Sequence, residues 1–166
     1  MKLIYKITVL LVIIIMSCKE KVKKKPVASD KIEIDRIKLT DLNGKPVDMR
    51  QFHGKTLFIN FWATWCKPCL EEMPSIQKAK DILKNENIVF LFASDESAEQ
   101  IEQFKNEFDY SFNYVRIQNQ EELNIIALPT TFIFDPDGKL VFNETGFRQW
   151  DDKNNIHLII NVTKSK

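Results

Sequence analysis

The sequence is poor in glycine, histidine and cysteine, and each shortage excludes a class of site. Four glycines among 166 residues argue against a glycine-rich loop that binds nucleotides. The two histidines, His53 and His157, lack the spacing of metal ligands. Three cysteines provide no second cysteine pair, so the four ligands of a structural zinc site cannot be assembled. We therefore expect neither a bound metal nor a bound cofactor.

Positive charge is scarce outside the N-terminal region. The first 25 residues contain seven basic and one acidic side chain, which leaves 17 basic and 22 acidic side chains in 26–166, a net charge of −5. Nucleic-acid-binding domains carry a basic patch or stripe. We expect no nucleic-acid partner for this domain.

A long hydrophobic run is also missing. The apolar stretch Leu3–Met16, which begins between Lys2 and Lys6, is shorter than the roughly 20 residues of a membrane-spanning helix. A positive segment followed by a short apolar one is typical of a secretory signal. We therefore predict that this stretch directs export rather than spanning a membrane.

The end of that stretch suggests a lipid anchor. Ile15-Met16-Ser17-Cys18 resembles a bacterial lipobox, in which the cysteine becomes the acylated N-terminus. The resemblance predicts a signal peptide over 1–17, a lipidated Cys18 with a polar linker over 18–31, and a location on the periplasmic side of a bacterial membrane. The alternative is an ordinary signal peptide with an incidental cysteine.

Residues 32–166 are predicted to form one α/β domain without an internal repeat. Period-two alternation in Ile32–Leu39, followed by the turn Asn43-Gly44, predicts an N-terminal β-hairpin that returns at Val47. Further strands are predicted at Thr56–Trp62, Ile88–Ala93, Tyr114–Ile117, Thr130–Phe134 and Leu140–Phe142. Helices are predicted from Leu70 to Asn85, around Ala98–Phe108 and over Asp151–Thr163, with a possible short helix at Glu121–Leu128.

Two of the three cysteines lie where the second predicted strand gives way to a helix. In Trp65-Cys66-Lys67-Pro68-Cys69, Cys66 falls at the helix start, where unpaired N–H groups and the helix dipole favour a thiolate. Cys69 lies one turn later, and we expect it to be more buried and to resolve the mixed disulfide that Cys66 forms. Lys67 adds a positive charge if its side chain folds back toward the sulfurs, and otherwise points to solvent.

An inert structural disulfide is the main alternative for this pair. The loop between Cys66 and Cys69 is so short that a bond across it would stabilise the fold very little. Because zinc also lacks ligands, reversible disulfide exchange is the predicted chemistry.

The block Phe61–Pro74, together with Leu128-Pro129-Thr130, resembles the active site of the thioredoxin superfamily. It is most similar to the membrane-tethered TlpA/ResA-like thiol-disulfide oxidoreductases, and the resemblance covers residues 32–166. It implies a thioredoxin-like fold with a central mixed β-sheet flanked by helices, an N-terminal β-hairpin extension, and an extra βα segment between Cys69 and Pro129.

The resemblance also assigns roles to individual residues. Pro129 is implied to be a cis-proline that faces the cysteine pair. The implied surface on which an extended client strand docks consists of Trp65, Lys67, Pro68, Leu128, Pro129 and Thr130.

One position departs from the thioredoxin pattern. Plain thioredoxins have a buried aspartate six residues before the first cysteine, where this chain has Asn60. Glu72 matches a glutamate that ResA-like proteins keep near the active site. As a half-buried carboxylate it could take the proton of Cys69 or raise a cysteine pKa by charge repulsion. The alternative is a solvated glutamate near the helix start, which is how we interpret Glu71.

The resemblance implies a membrane-tethered, extracytoplasmic reductant of client disulfides, of the cytochrome c maturation type. A membrane thiol carrier would supply electrons, no cofactor is implied, and we expect a monomer. Three alternatives are a disulfide oxidant or isomerase, a non-catalytic metallochaperone and a peroxide reductase. An oxidant usually has a large helical insertion, for which this chain has no room. A metallochaperone usually has a wider cysteine spacing and a remote histidine, and a peroxide reductase has its cysteine among Thr and Pro rather than in Trp-Cys-x-Pro-Cys.

Overall fold

A computed structural model describes residues 32–165, in which six strands form one mixed sheet. The strands are β1 Leu39–Thr40, β2 Thr56–Phe61, β3 Ile88–Ser94, β4 Asn113–Ile117, β5 Thr130–Phe134 and β6 Leu140–Thr145. The helices are α1 Lys67–Ile82, α2 Ala98–Glu107 and α3 Lys153–Thr163, and two 3-10 turns cover Ile34–Arg36 and Met49–Phe52. The strand order is β1-β4-β3-β2-β5-β6. The predicted mixed sheet and the three main helices are confirmed.

The central strand β2 places the helix that follows it. All six of its residues are buried, and it pairs in parallel with β3 and antiparallel with β5. Its side chains alternate between the two faces of the sheet. Phe58 belongs to the apolar cluster that contains residues of all three helices, whereas Leu57 and Ile59 belong to a second cluster with Ile34 and Ile37. The strand predicted at Thr56–Trp62 is confirmed over Thr56–Phe61, and its burial is typical of a central strand.

The N-terminal extension is shorter than the alternation of residues 32–39 predicts. Ile34–Arg36 form a 3-10 turn instead of a strand, which brings Ile34 and Ile37 to the same apolar cluster. The hairpin is reduced to one bridge, between Thr40 and Pro46. Since Pro46 has no N–H, it cannot donate to a longer ladder. The two-residue β1 pairs instead with β4.

The segment between β4 and β5 also differs from the prediction. The short helix at Glu121–Leu128 is absent, and the segment consists of turns and bends. Asn124 has a φ of 55°, which interrupts a right-handed helix. Leu123 and Ile125 on either side of it are buried in the second cluster. Between Cys69 and Pro129 the chain completes α1 and then forms β3, α2 and β4.

Candidate active site

Cys66 and Cys69 form a disulfide at the N-terminus of α1, with an S–S distance of 2.00 Å and a Cα–Cα distance of 5.3 Å. Cys66 is the N-cap residue, and its Sγ accepts a hydrogen bond from the backbone N–H of Cys69 at 3.3 Å. Pro68 lies in the first turn, where its missing N–H removes no helical hydrogen bond. Cys69 is fully buried and Cys66 is 4% exposed, as the predicted order of burial requires.

The loop that leads into Cys66 is held by Glu96, just beyond the end of β3. Its buried carboxylate accepts hydrogen bonds from the backbone N–H of Thr64 at 2.7 Å and from the Thr64 hydroxyl at 2.6 Å. Ser94 Oγ donates to the same carboxylate at 3.1 Å. Sequence reasoning missed this residue. An acidic residue at the carboxyl end of a buried strand was the available signal, because sites in open α/β sheets lie at that edge.

Glu72 lies beneath the surface of the domain, at 0% exposure. Its Oε1 accepts a hydrogen bond from Asn60 Nδ2 at 2.7 Å, and its Oε2 accepts one from the backbone N–H of Arg148 at 3.1 Å. The alternative of a solvated glutamate is therefore wrong for Glu72. The side chain is fully buried, whereas we expected a half-buried carboxylate. The neighbouring Glu71 is exposed, as predicted.

Burial raises the pKa of Glu72 from its ordinary 4.5 to about 7. Loss of hydration disfavours the charged form, and this exceeds the opposite effect of the hydrogen bonds from Asn60 and Arg148. The Trp150 indole also lowers the pKa, although its N–H does not meet hydrogen-bond geometry with any acceptor. The carboxyl group can therefore gain or lose a proton near neutral pH. Cys69, three residues earlier on α1, lies on the same helix face.

Asn60 occupies the position of the buried aspartate of plain thioredoxins and supports a buried acid elsewhere. Its amide donates to Glu72 Oε1 and also lies 3.1 Å from Thr131 Oγ1, to which it donates as well. An ionised aspartate at this position has no donor and would place a second negative charge beside Glu72. The buried acid therefore lies on α1 instead of on β2, and the amide on β2 supports it.

The Leu128–Pro129 peptide bond is cis, as the resemblance implied. Pro129 is buried, and its carbonyl accepts a hydrogen bond from the Gly146 N–H at 2.7 Å. Thr130 is also buried, and its hydroxyl donates to the carbonyl of Ala127 at 2.7 Å. The docking roles of Pro129 and Thr130 stay predictions, and burial leaves both side chains little accessible surface.

The other predicted docking residues lie nearer the surface. Trp65 is 72% exposed, Lys67 and Pro68 are exposed, and Leu128 is half-buried. The Lys67 Nζ lies 3.7 Å from Glu71 Oε1, which makes it one member of an exposed ion pair. Such a pair interacts weakly in water. Since the Lys67 side chain is exposed, we expect it to have little influence on the sulfurs.

Two further apolar side chains near this region escaped the sequence analysis. Ile126 is 87% exposed and lies two residues before Leu128, and Phe147 is 50% exposed and follows Gly146, the residue bonded to Pro129. Neither belongs to a recognisable motif, and Phe147 is brought near Pro129 only by the fold.

Residues 32–165 contain no cluster of three or more His, Cys, Asp or Glu side chains that could hold a metal ion. The same residues include no helix that is long and apolar enough to cross a membrane. The predicted signal peptide, Cys18 and the linker over 18–31 lie outside the described residues and stay predictions.

Comparison with known proteins gives a family. The model of the AhpC/TSA family matches residues 32–143. The thiol-disulfide oxidoreductase ResA of Bacillus thuringiensis subsp. konkukian (strain 97-27) is 36% identical over 108 residues, which is 62% of each chain. ResA of Geobacillus kaustophilus (strain HTA426) is 35% identical over 119 residues, 69% of this chain and 68% of that one. The chain thus spans less than two thirds of the length of the Bacillus relative.

The fold has solved counterparts as well. A crystal structure from Chlorobium tepidum, described as a thiol:disulfide interchange protein DsbE, superposes with a TM-score of 0.70 at 21% identity. It covers 81% of this chain and 98% of that one. At this identity the likeness supports the thioredoxin-like fold alone. By its family match and its ResA relatives, the chain belongs to the AhpC/TSA family.

Proposed function

We propose that this protein is a thiol-disulfide oxidoreductase that reduces disulfides in client proteins. The observation that carries the proposal is the Cys66–Cys69 disulfide at the start of α1, one helical turn from a buried glutamate that titrates near pH 7. The relatives named ResA are thiol-disulfide oxidoreductases, which supports the same chemistry.

The reaction begins from the reduced form of the pair. The Cys66 thiolate attacks one sulfur of a client disulfide, and a mixed disulfide forms as the first client thiolate leaves. The Cys69 thiolate then attacks Cys66 Sγ, and the second client thiolate leaves. Two electrons pass to the client, two protons complete its thiols, and the protein ends as the Cys66–Cys69 disulfide. A dithiol donor must reduce this disulfide before the next cycle.

Glu72 acts in the second half of the cycle. The Cys69 thiol is fully buried and must lose its proton before it can attack. A carboxylate on the same helix face with a pKa of about 7 can accept that proton at neutral pH. Once the disulfide has formed, the proton leaves Glu72 for solvent or for the departing client thiolate.

The expected cellular role is that of a lipid-anchored reductant of the cytochrome c maturation type. Its clients would be apocytochromes or other cysteine proteins that await haem or metal, and its electrons would come from a membrane thiol carrier. The lipobox-like residues before Cys18 support the anchor, and the polar residues 19–31 would separate the domain from the membrane.

Two measurements test the direction of electron flow: the identity of the clients trapped as mixed disulfides, and the reduction potential of the Cys66–Cys69 pair. In Cys69→Ala the mixed disulfide cannot be resolved, so mass spectrometry of the trapped adducts identifies the clients. We expect cysteine proteins that await a cofactor, and a reduction potential well below that of the oxidant DsbA. A potential near about −120 mV would contradict the role as a reductant.

The lipid anchor is tested by fractionation. We expect Cys18→Ala to move the protein from the membrane fraction to the soluble one, because the acylated residue is lost. Unchanged membrane association of that variant would contradict the anchor.

A further inference from the structure

A groove lies between α1 and α2, beside the reactive pair. It encloses about 420 Å³ and is called here the α1–α2 groove. The side chains that line it are Thr64, Leu70, Gln100, Gln103, Phe104, Glu107 and Phe108. Four of the seven come from α2 itself, so this helix provides one complete wall.

The position of the groove brings it within reach of a bound client. Thr64 lies two residues before Cys66, and Leu70 directly follows Cys69, so the two cysteines lie between these lining residues in the sequence. The groove therefore lies near enough to the pair for a client joined to Cys66 Sγ as a mixed disulfide to reach it. The groove lies along α2, whereas Pro129 lies on the segment that leads into β5.

The lining combines apolar area with one unneutralised carboxylate. Phe104 and Phe108 stack with their ring centroids 4.6 Å apart, and Phe108 is 42% exposed. Glu107 accepts a hydrogen bond from Gln103 Nε2 at 3.2 Å. Within residues 32–165 it has no ion-pair partner, whereas the nearby Glu102 is paired with Lys105.

This combination suits a peptide segment with an apolar and a basic side chain. An aromatic or large aliphatic side chain would remove part of the Phe108 ring from water. A lysine or arginine beside it would reach the Glu107 carboxylate, which is an uncompensated charge at the rim. The amides of Gln100 and Gln103 can pair with the backbone of an extended chain.

We propose, on the basis of the proposed function, that the α1–α2 groove binds the client segment next to the attacked cysteine and selects segments in which a large apolar residue and a basic residue are neighbours. The groove would thereby determine which disulfides are reduced fastest, while the cysteine pair performs the exchange. The chemistry of recognition is apolar contact with Phe108 combined with charge complementarity at Glu107.

The test uses three synthetic peptides that carry the same intramolecular disulfide. Their flanking dipeptides are Phe-Arg, Phe-Glu or Ser-Ser, placed on both sides of the disulfide. The second-order rate constant for reduction by the fully reduced protein is measured under single-turnover conditions. We expect the Phe-Arg peptide to react about tenfold faster than the Ser-Ser peptide because of apolar burial. It should react about threefold faster than the Phe-Glu peptide because of the single exposed charge contact.

Variants of α2 separate the charge contact from general electrostatics. Glu107→Gln should abolish the preference for Phe-Arg over Phe-Glu, and Gln103→Lys should abolish it by pairing with Glu107 at the i,i+4 position. Phe108→Ala should reduce the advantage of both Phe peptides over Ser-Ser. The matched control is Glu99→Gln, which removes an exposed carboxylate of α2 that does not line the groove. It should retain all preferences.

The outcomes distinguish the groove from the proposed function. Equal rates for all three peptides, or an equal loss of preference in Glu99→Gln and Glu107→Gln, would overturn the groove. Failure of the wild-type protein to reduce even the Ser-Ser peptide and a small aryl disulfide would overturn the proposed function instead.

Discussion

The first two turns of α1 contain both halves of the proposed chemistry, and they differ in almost every physical respect. Cys66 caps the helix, where backbone N–H groups are unpaired and the surface residue Trp65 is adjacent. Glu72 lies inside the domain at 0% exposure, and its two oxygens accept hydrogen bonds from Asn60 and from the Arg148 backbone.

The difference shows that two opposite environments serve one reaction. At the helix start, N–H groups stabilise a negative charge on sulfur. Farther along the helix, burial disfavours a negative charge on the carboxyl group and raises its pKa to about 7. The start of α1 therefore favours attack by the Cys66 thiolate, and Glu72 farther along the helix provides a proton acceptor at neutral pH.

The largest expected effect comes from removing the capping cysteine. Cys66→Ala should abolish the reduction of insulin disulfides, because the remaining thiol of the pair, on Cys69, is fully buried and cannot reach a client disulfide. Cys69→Ala should instead accumulate mixed disulfides, which non-reducing electrophoresis detects. If Cys66→Ala trapped clients as well as Cys69→Ala did, the two assigned roles would be wrong.

A smaller effect is expected from the buried acid. Glu72→Gln should slow the resolution of the mixed disulfide at pH 7 by about tenfold to a hundredfold, since the amide cannot accept a proton. Stopped-flow measurement of disulfide formation in the reduced protein reports this step. The matched control is Glu71→Gln, which changes the exposed neighbour and should keep the wild-type rate. An equal slowing in both variants would contradict the role of Glu72.

The same burial predicts a pH-dependent stability of the oxidised protein, in which neither cysteine titrates. The pKa of Glu72 is higher in the folded state than in the unfolded state, so its contribution is fully present below pH 4.5 and is lost as the pH rises through about 7. The contribution of Glu72 to the free energy of unfolding should therefore fall by roughly 3 kcal/mol between pH 4 and pH 8.

Urea denaturation at the two pH values, compared with Glu72→Gln, isolates this contribution. The Gln variant should lack that part of the pH dependence. Identical pH dependence in the wild-type protein and in Glu72→Gln would show that the carboxyl group is not perturbed by folding.

The smallest effect is expected from Lys67. Its side chain is 86% exposed and pairs with Glu71, so Lys67→Ala should change the rate of insulin reduction by less than about twofold. A much larger loss would mean that Lys67 acts on the sulfurs directly, and the helix start would then owe part of its reactivity to a side chain.

The sequence predicts the features that local patterns determine. The strand-to-helix junction places Cys66 at the N-cap, and α2, which begins at a capping box of Ser97 and Gln100, lies where the sequence predicts a helix. The hairpin prediction was wrong for residues 32–37. The period of two is broken there, because Arg36 occupies an apolar position of the alternation and Ile37 occupies a polar one. The burial of Ile34 and Ile37 then favoured a 3-10 turn.

The support around the cysteines could not be predicted, because it depends on contacts distant in sequence. Asn60 reaches Glu72 across 12 residues, the Arg148 N–H reaches it across 76, and Thr64 reaches Glu96 across 32. Resemblance identified Glu72, but only the packing of β2 and the chain after β6 against α1 shows that it is fully buried.

The central claim is that folding adjusts Glu72 to exchange protons near neutral pH. The most direct test is a titration of its side-chain carboxyl carbon by NMR in the oxidised protein, with Glu72→Gln to assign the signal. The account predicts a midpoint near pH 7. A midpoint near the ordinary value of 4.5 would contradict it, since a carboxylate with that pKa is too weak a base to take the proton of the Cys69 thiol at neutral pH.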